Sequence, residues 1–230
     1  ANSSSLSCTT RTGLLPMCEA IAATWQQIER REQLSALARS SIRALVTSMA
    51  LVRSVASGAP IADSGTPRWC ETAISGTSAA GTFLNIFPQA KFVCFHRRGD
   101  EVISEVIESN PWGFAKAEFW PYSAAYPGNS LATAGAYWAE RSRAILDFQL
   151  AQPQSCLSLR REDLEADAQG QMRLVWSFLG VDPPSATILH RGDPAVTEHG
   201  ARPRFPADRL PPRLRTVINE LHATLGYPPL

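Results

Sequence analysis

Apolar and polar positions repeat along this chain with a few simple periods, and those periods mark its elements. Phe92, Val93, Cys94 and Phe95 form an unbroken apolar run between Pro88 and Gly99, the pattern of a strand buried on both faces. From Asp100 the spacing changes: Val102, Ile103, Val106 and Ile107 recur three and four apart, which predicts a helix. Cys156, Leu157 and Leu159 predict a second buried strand. Upstream, the segment 26–56 reads as one or two helices, with Leu34, Ala38, Ile42, Leu45, Met49 and Val52 in one stripe. Ser130 suits the N-cap of a helix bearing Leu131, Ala134, Trp138, Ile145 and Phe148, ended by Pro153. Asp167 predicts the cap of a helix carrying Met172, Val175, Trp176 and Leu179 and closed by Gly180. A last amphipathic helix runs from Arg213 to Leu225 through Leu214, Val217 and Leu221. Gly58 to Pro67 is a breaker-rich loop.

Between the apolar run and the helix that follows it stand His96, Arg97 and Arg98. In an open α/β sheet, ligands bind just outside the carboxyl end of a strand. Two guanidiniums there, beside helix N-terminal amides, suit a phosphate in charge and geometry. The competing account is an arginine pair that serves Asp100 or Glu101.

Composition narrows the class. A chain of 230 residues, 44% hydrophobic and 19% charged, has length for one domain with a substantial core. Lys plus Arg is 22 against 21 Asp plus Glu, so no basic excess asks for nucleic acid and anion binding must come from local placement. Five dispersed cysteines form neither a CxxC pair nor a disulfide framework, and the four histidines lack metal-ligand spacing, so no metal site is expected. No apolar run nears the length of a membrane span, and the expectation is a cytoplasmic protein. The oligomeric state is not legible.

The segment FVCFHR followed by RGDEVISE resembles the signature of sulfotransferases that use 3'-phosphoadenosine 5'-phosphosulfate (PAPS). CLSLRREDLEADAQGQMRLVWSFLG is similar to that family's strand, RYEDL and FLG run, PRWCET to its WVEKTP segment, and NIFPQAKF to its LFPDAKF. The resemblance implies an α/β, three-layer P-loop-NTPase-like domain over 1–230, a central parallel sheet flanked by helices. It implies PAPS as co-substrate, with Arg97 on the 3'-phosphate and Ser104 or Glu105 at the place of a further phosphate contact. Glu105 departs from the family's serine; a carboxylate facing a phosphate is unfavourable unless it turns away or pairs with an arginine. Arg161 replaces the tyrosine of RYEDL and would stack near the adenosine. Arg202 and Arg204, in a Pro- and Arg-rich stretch with His190, Arg191 and His199, would close over the co-substrate.

The family's 5'-phosphosulfate loop follows its first strand, approximately as PRSGTTLL. Two placements compete: Ser3, Ser4 and Ser5 as the tail of that loop, with the strand before Ala1, or Arg11, Thr12 and Gly13 as its RSG. The first is preferred, because the family's acidic residue then falls near Glu19. Glu19, desolvated by Leu15, Met17 and Ile21, is the candidate general base, and Glu71 is a second candidate or its orienter. The acceptor would be a small molecule with a hydroxyl: a secondary metabolite, a sugar or a carrier-tethered intermediate. The segment 26–56 and the aromatic loop 110–129 are the expected acceptor-side elements. A kinase of related architecture needs GxxxxGK[ST], which is absent. A non-catalytic protein that keeps the fold is the rival account.

Overall fold

Leu14, Cys18 and Ala22, four residues apart, are buried on the first helix, α1 (Leu14–Glu29), of a computed structural model. It describes residues 6–10, 14–30, 32–56, 68–72, 77–111, 113–114, 116–183 and 205–230. The chain divides into two units, 1–92 with 176–183 and 93–175 with 184–230.

In the first unit, strand β1 (Leu6–Thr10) pairs in parallel with β2 (Arg68–Thr72), register Leu6↔Arg68 through Thr10↔Thr72. A parallel pair needs a long crossover. α1 and α2 (Ala36–Ala56) lie in that crossover. Pro16 is tolerated in α1 because the first turn has no N–H partner to lose. The segment expected as one or two helices is parted between them. Arg30 turns left-handed at φ 53°, and Ser35 Oγ accepts the Ala38 N–H as the cap of α2.

The buried stripe of α2 departs from expectation. Leu34, Ala38 and Ile42 are inside, but Val46 and Ala50 continue the stripe, while Leu45, Met49 and Val52 are exposed. The row in strict steps of four is the one that faces the core, and its alanines allow close approach. The third helix, α3 (Thr77–Ile86), adds Ala79, Phe83 and Ile86 to this core. Arg43 Nε and Nη2 donate to the Ile86 carbonyl at 2.9 and 2.6 Å, a cation at a helix C-terminus.

In the second unit, β3 (Phe92–His96) lies beside β4 (Cys156–Arg160). The four described strands thus form two pairs. β3 was expected to be buried on both faces, but Val93 and Phe95 are 39% and 45% exposed. Cys94 and His96 alternate with them on the covered face, so β3 reads as a one-sided strand. β3 leads into α4 (Gly99–Glu108), whose Ile103 is fully buried. A short 3-10 turn, Ala117–Phe119, runs into α5 (Trp120–Ala125), followed by α6 (Ser130–Ala151). The cap of α6 is Asn129 rather than Ser130: its Oδ1 accepts the Ala132 N–H at 2.9 Å.

β4 passes directly into α7 (Arg161–Ala166) and α8 (Ala168–Leu179). Asp167 Oδ1 accepts the Gly170 N–H, and Gly180 ends α8 at φ 63°, as the sequence predicts. The last helix, α9 (Pro212–Leu225), ends at Gly226, φ 74°. Its Leu214, Ile218, Leu221 and Leu225 join Ile103 of α4 and Ala134, Trp138 and Ala139 of α6 in the second core. Small residues on α6 let these helices approach closely.

Candidate functional site

The end of β3 is fixed before the arginines begin. His96 is buried, its Nε2 2.9 Å from Gln149 Oε1 on α6, and burial pushes its pKa down so that the ring stays neutral. The two arginines then part company. Arg98 is consumed internally: Nε donates to Asp100 Oδ1 at 3.0 Å and Nη2 to Oδ2 at 2.7 Å. Its backbone N–H donates to Glu162 Oε1 at 3.2 Å. This is the ion-pair account, realised for one arginine.

Arg97 keeps capacity. Its Nη2 lies 2.7 Å from Glu105 Oε2, yet its Nε is buried without a partner. Ser104, 6% exposed on α4, also has a buried Oγ without a partner. Among the described residues the third such atom is Arg141 Nε. A buried polar group left unsatisfied costs about 1–3 kcal/mol. An anion with several acceptor oxygens is the kind of group that meets both a guanidinium and a hydroxyl.

The helix amides contribute less than the sequence suggests. The Gly99 N–H is taken by His222 Nε2 at 3.0 Å and the Arg98 N–H by Glu162, while Asp100 and Glu101 occupy the first turn of α4. These two amides are therefore not open to a ligand, and the unsatisfied donors nearby are on side chains.

Arg161 enters the same neighbourhood from α7. Its Nε donates to Glu165 Oε1 at 2.6 Å, and Nη1 is 3.9 Å from Glu101 Oε2. Burial, then the nearby Glu162 carboxylate, raise the Glu101 pKa, with Arg161 opposing. Arg160 is committed elsewhere: it holds Asp163 through two bonds and reaches the Leu225 and Gly226 carbonyls. Glu162 bridges, accepting from Tyr227 Oη at 3.0 Å as well as from the Arg98 N–H. Glu162 and Asp163 are thus engaged in holding neighbouring groups.

Arg97, Ser104, Glu105 and Arg161 belong to the second unit, and Glu19 and Glu71 to the first. Glu19 is half-buried on α1 next to Cys18, and Leu15, Met17 and Ile21 lie in or against the core there. Glu71 stands in β2 opposite Thr9. Ser3, Ser4, Ser5, Arg202 and Arg204 lie outside the described residues.

The structure adds a strand that the sequence reading lacks. β1 ends at Thr10 and α1 begins at Leu14; Arg11, Thr12 and Gly13 come between them in the sequence and lie outside the described residues. The pairing of β1 with β2 identifies the strand; its mixed serine, cysteine and threonine content hid it.

The aromatic loop 110–129 is anchored by its own rings. Phe114 meets Phe119 at 5.0 Å, and Phe119 and Tyr122 meet Tyr137 of α6 at 4.8 and 5.6 Å. Arg141 lies over Tyr137 at 5.4 Å, and Trp120 is exposed. Burial and a hydrogen bond to Glu140 push the Tyr122 hydroxyl up to about 12.

His222 escaped the sequence reading. It falls four residues after Ile218 on the buried stripe of α9, a periodicity that marks it as a buried and therefore hydrogen-bonded polar residue.

The sequence matches the family model described as Sulfotransferase family over residues 1–185. The structure is similar to the sulfotransferase domain from the curacin biosynthetic pathway: TM-score 0.54, 15% identity, 94% of this chain and 87% of that one. It is also similar to the sulfotransferase domain from the Synechococcus PCC 7002 olefin synthase: TM-score 0.49, 17% identity, 99% and 97% covered. No curated protein matches the sequence. The first likeness shows a shared fold.

Proposed function

The chain belongs to the sulfotransferase family, and on that premise we propose that it moves a sulfuryl group from PAPS to a hydroxyl of a small-molecule acceptor. The observation that carries the donor assignment is the pair of unsatisfied buried atoms, Arg97 Nε and Ser104 Oγ, at the end of β3 and on α4. Both fit a phosphate, and Arg97 matches the family's 3'-phosphate arginine. Arg161, after the second strand of that unit, serves the nucleoside in this reading, giving up Glu101 and Glu165 to do so.

In the reaction the acceptor oxygen bonds to sulfur as the bond from sulfur to the 5'-phosphate oxygen breaks. 3'-Phosphoadenosine 5'-phosphate departs, and a carboxylate takes the acceptor proton. Glu19 is our choice for that base and Glu71 the alternative. Arg11, Thr12 and Gly13, following β1, are better placed in the chain for the 5'-phosphosulfate loop than Ser3 to Ser5. Arg202 and Arg204 remain candidates to close over the donor. Fixed dipoles and positioning carry most of the rate in transfers of this type, by analogy with phosphoryl transfer.

One observation favours a second account. The Arg97–Glu105 pair partly neutralises the key cation, as it would in a non-catalytic protein that kept the fold. Calorimetry with 3'-phosphoadenosine 5'-phosphate decides the donor: binding lost in Arg97→Ala supports PAPS, and no binding by the wild type removes it. Binding by a chain that never passes labelled sulfur from PAPS to any of a panel of hydroxyl acceptors favours the second account.

A further inference from the structure

We propose that His222 is a positioning residue for the donor's 3'-phosphate: through its imidazole, α9 locks the backbone on which Arg97 is mounted. This rests on the donor reading above.

The geometry assigns the proton without ambiguity. The Pro228 carbonyl, 2.7 Å from His222 Nδ1, can only accept, and the Gly99 N–H, 3.0 Å from Nε2, can only donate. His222 is therefore neutral, with its proton on Nδ1, and it is fully buried. Trp138 and Tyr227 meet its ring edge-on at 5.3 and 5.6 Å.

The approach to Gly99 is close enough to demand glycine. A Cβ there would stand 2.8 Å from His222 Nε2 and 3.1 Å from the Trp138 ring. Arg98, the N-cap of α4, supplies no side-chain cap, so an imidazole 123 residues away does that work.

The adjoining peptide is held in the same way. Glu162 accepts the Arg98 N–H, and Tyr227 Oη holds the other oxygen of that carboxylate. Two successive peptide planes, Arg97–Arg98 and Arg98–Gly99, are thus fixed by groups from α7 and from the end of α9. The first of those planes contains the Arg97 Cα. With its mount rigid, Arg97 presents its unpartnered Nε in one direction, which is the preorganisation a tight anion contact needs.

The test compares two probes on the full chain: 3'-phosphoadenosine 5'-phosphate, and adenosine 5'-phosphate, which lacks the 3'-phosphate. His222→Leu is expected to weaken the first about tenfold and leave the second unchanged, because only the 3'-phosphate reads the arginine's direction. His222→Gln restores an acceptor for Gly99 and a donor for Pro228, and is expected to return affinity to within about threefold of wild type. Tyr227→Phe keeps the ring and frees Glu162, with an expected loss of about threefold for the 3'-phosphorylated probe alone.

Equal losses for both probes, or no loss in a folded His222→Leu, overturn the proposal. If His222→Leu does not fold, Tyr227→Phe decides: a selective loss supports it and none overturns it. A wild type that binds neither probe removes the donor reading and this inference together. Arg97-dependent selectivity in the wild type, unmoved by all three variants, sinks the inference alone.

Discussion

Arg97 and Glu105 are joined by an ion pair of 2.7 Å, with their side chains 27% and 57% exposed. Half in water, such a pair contributes about 0–1 kcal/mol, while the buried Nε of the same arginine goes unsatisfied. The pair is weak enough for a dianion to displace and strong enough to compete with one. On the proposed donor reading, Glu105 competes with the 3'-phosphate for Arg97.

Glu105→Ser is expected to tighten 3'-phosphoadenosine 5'-phosphate by about threefold to tenfold, since it removes both a competitor and a like charge. Titration calorimetry at low and moderate salt measures this. Unchanged or weaker binding would show that the carboxylate swings clear when the ligand arrives.

The two neighbouring arginines should separate in stability. Asp100→Ala strands the guanidinium of Arg98, which is largely buried, and is expected to cost about 3–5 kcal/mol. Arg97→Ala should cost less than about 1 kcal/mol. Urea unfolding of both variants reads the contrast, and similar losses would contradict a division of labour between the two arginines.

Gly99→Ala tests the close approach. In an open helical position alanine is favoured over glycine by about 1 kcal/mol. Here the added Cβ meets His222 Nε2 and the Trp138 ring, so the variant should be less stable by about 1–3 kcal/mol. A stabilised variant in the same unfolding measurement would mean that the imidazole can move aside.

Acid should loosen the second unit through its histidines. Burial holds the pKa of His96 and of His222 below 6.5 in the folded chain. Below 6.5 the unfolded chain takes up protons that the folded one refuses, so their contribution is complete above that pH and is lost on acidification toward the folded values. Each contributes at most about 1.4 kcal/mol per pH unit. Unfolding free energies between pH 8 and 5 should fall, with a shallower slope in His222→Gln. An unchanged slope would indicate that this ring is charged when folded.

Much of this architecture is local and was therefore legible. Val102, Ile103, Val106 and Ile107 announced α4, and Asp167 with Gly180 bounded α8, because caps and periods act within a few residues. Choosing between faces was harder. Leu45 and Val46 are both apolar, and only packing against α1 and α3 put Val46 inside. Likewise, Val93 and Phe95 look like core residues in a run of four, and exposure depends on whether a layer covers them.

The sequence alone determined the family resemblance and most of the helices, and it put two arginines at the end of a strand, since these follow from short-range pattern and motif. Tertiary structure decided what those arginines do: Arg98 turned to Asp100, Arg97 to Glu105, and a histidine from the far end of the chain took up the Gly99 N–H. A hydrogen bond depends on distance in space and not on separation along the chain, so no local period encodes a partner 123 residues away.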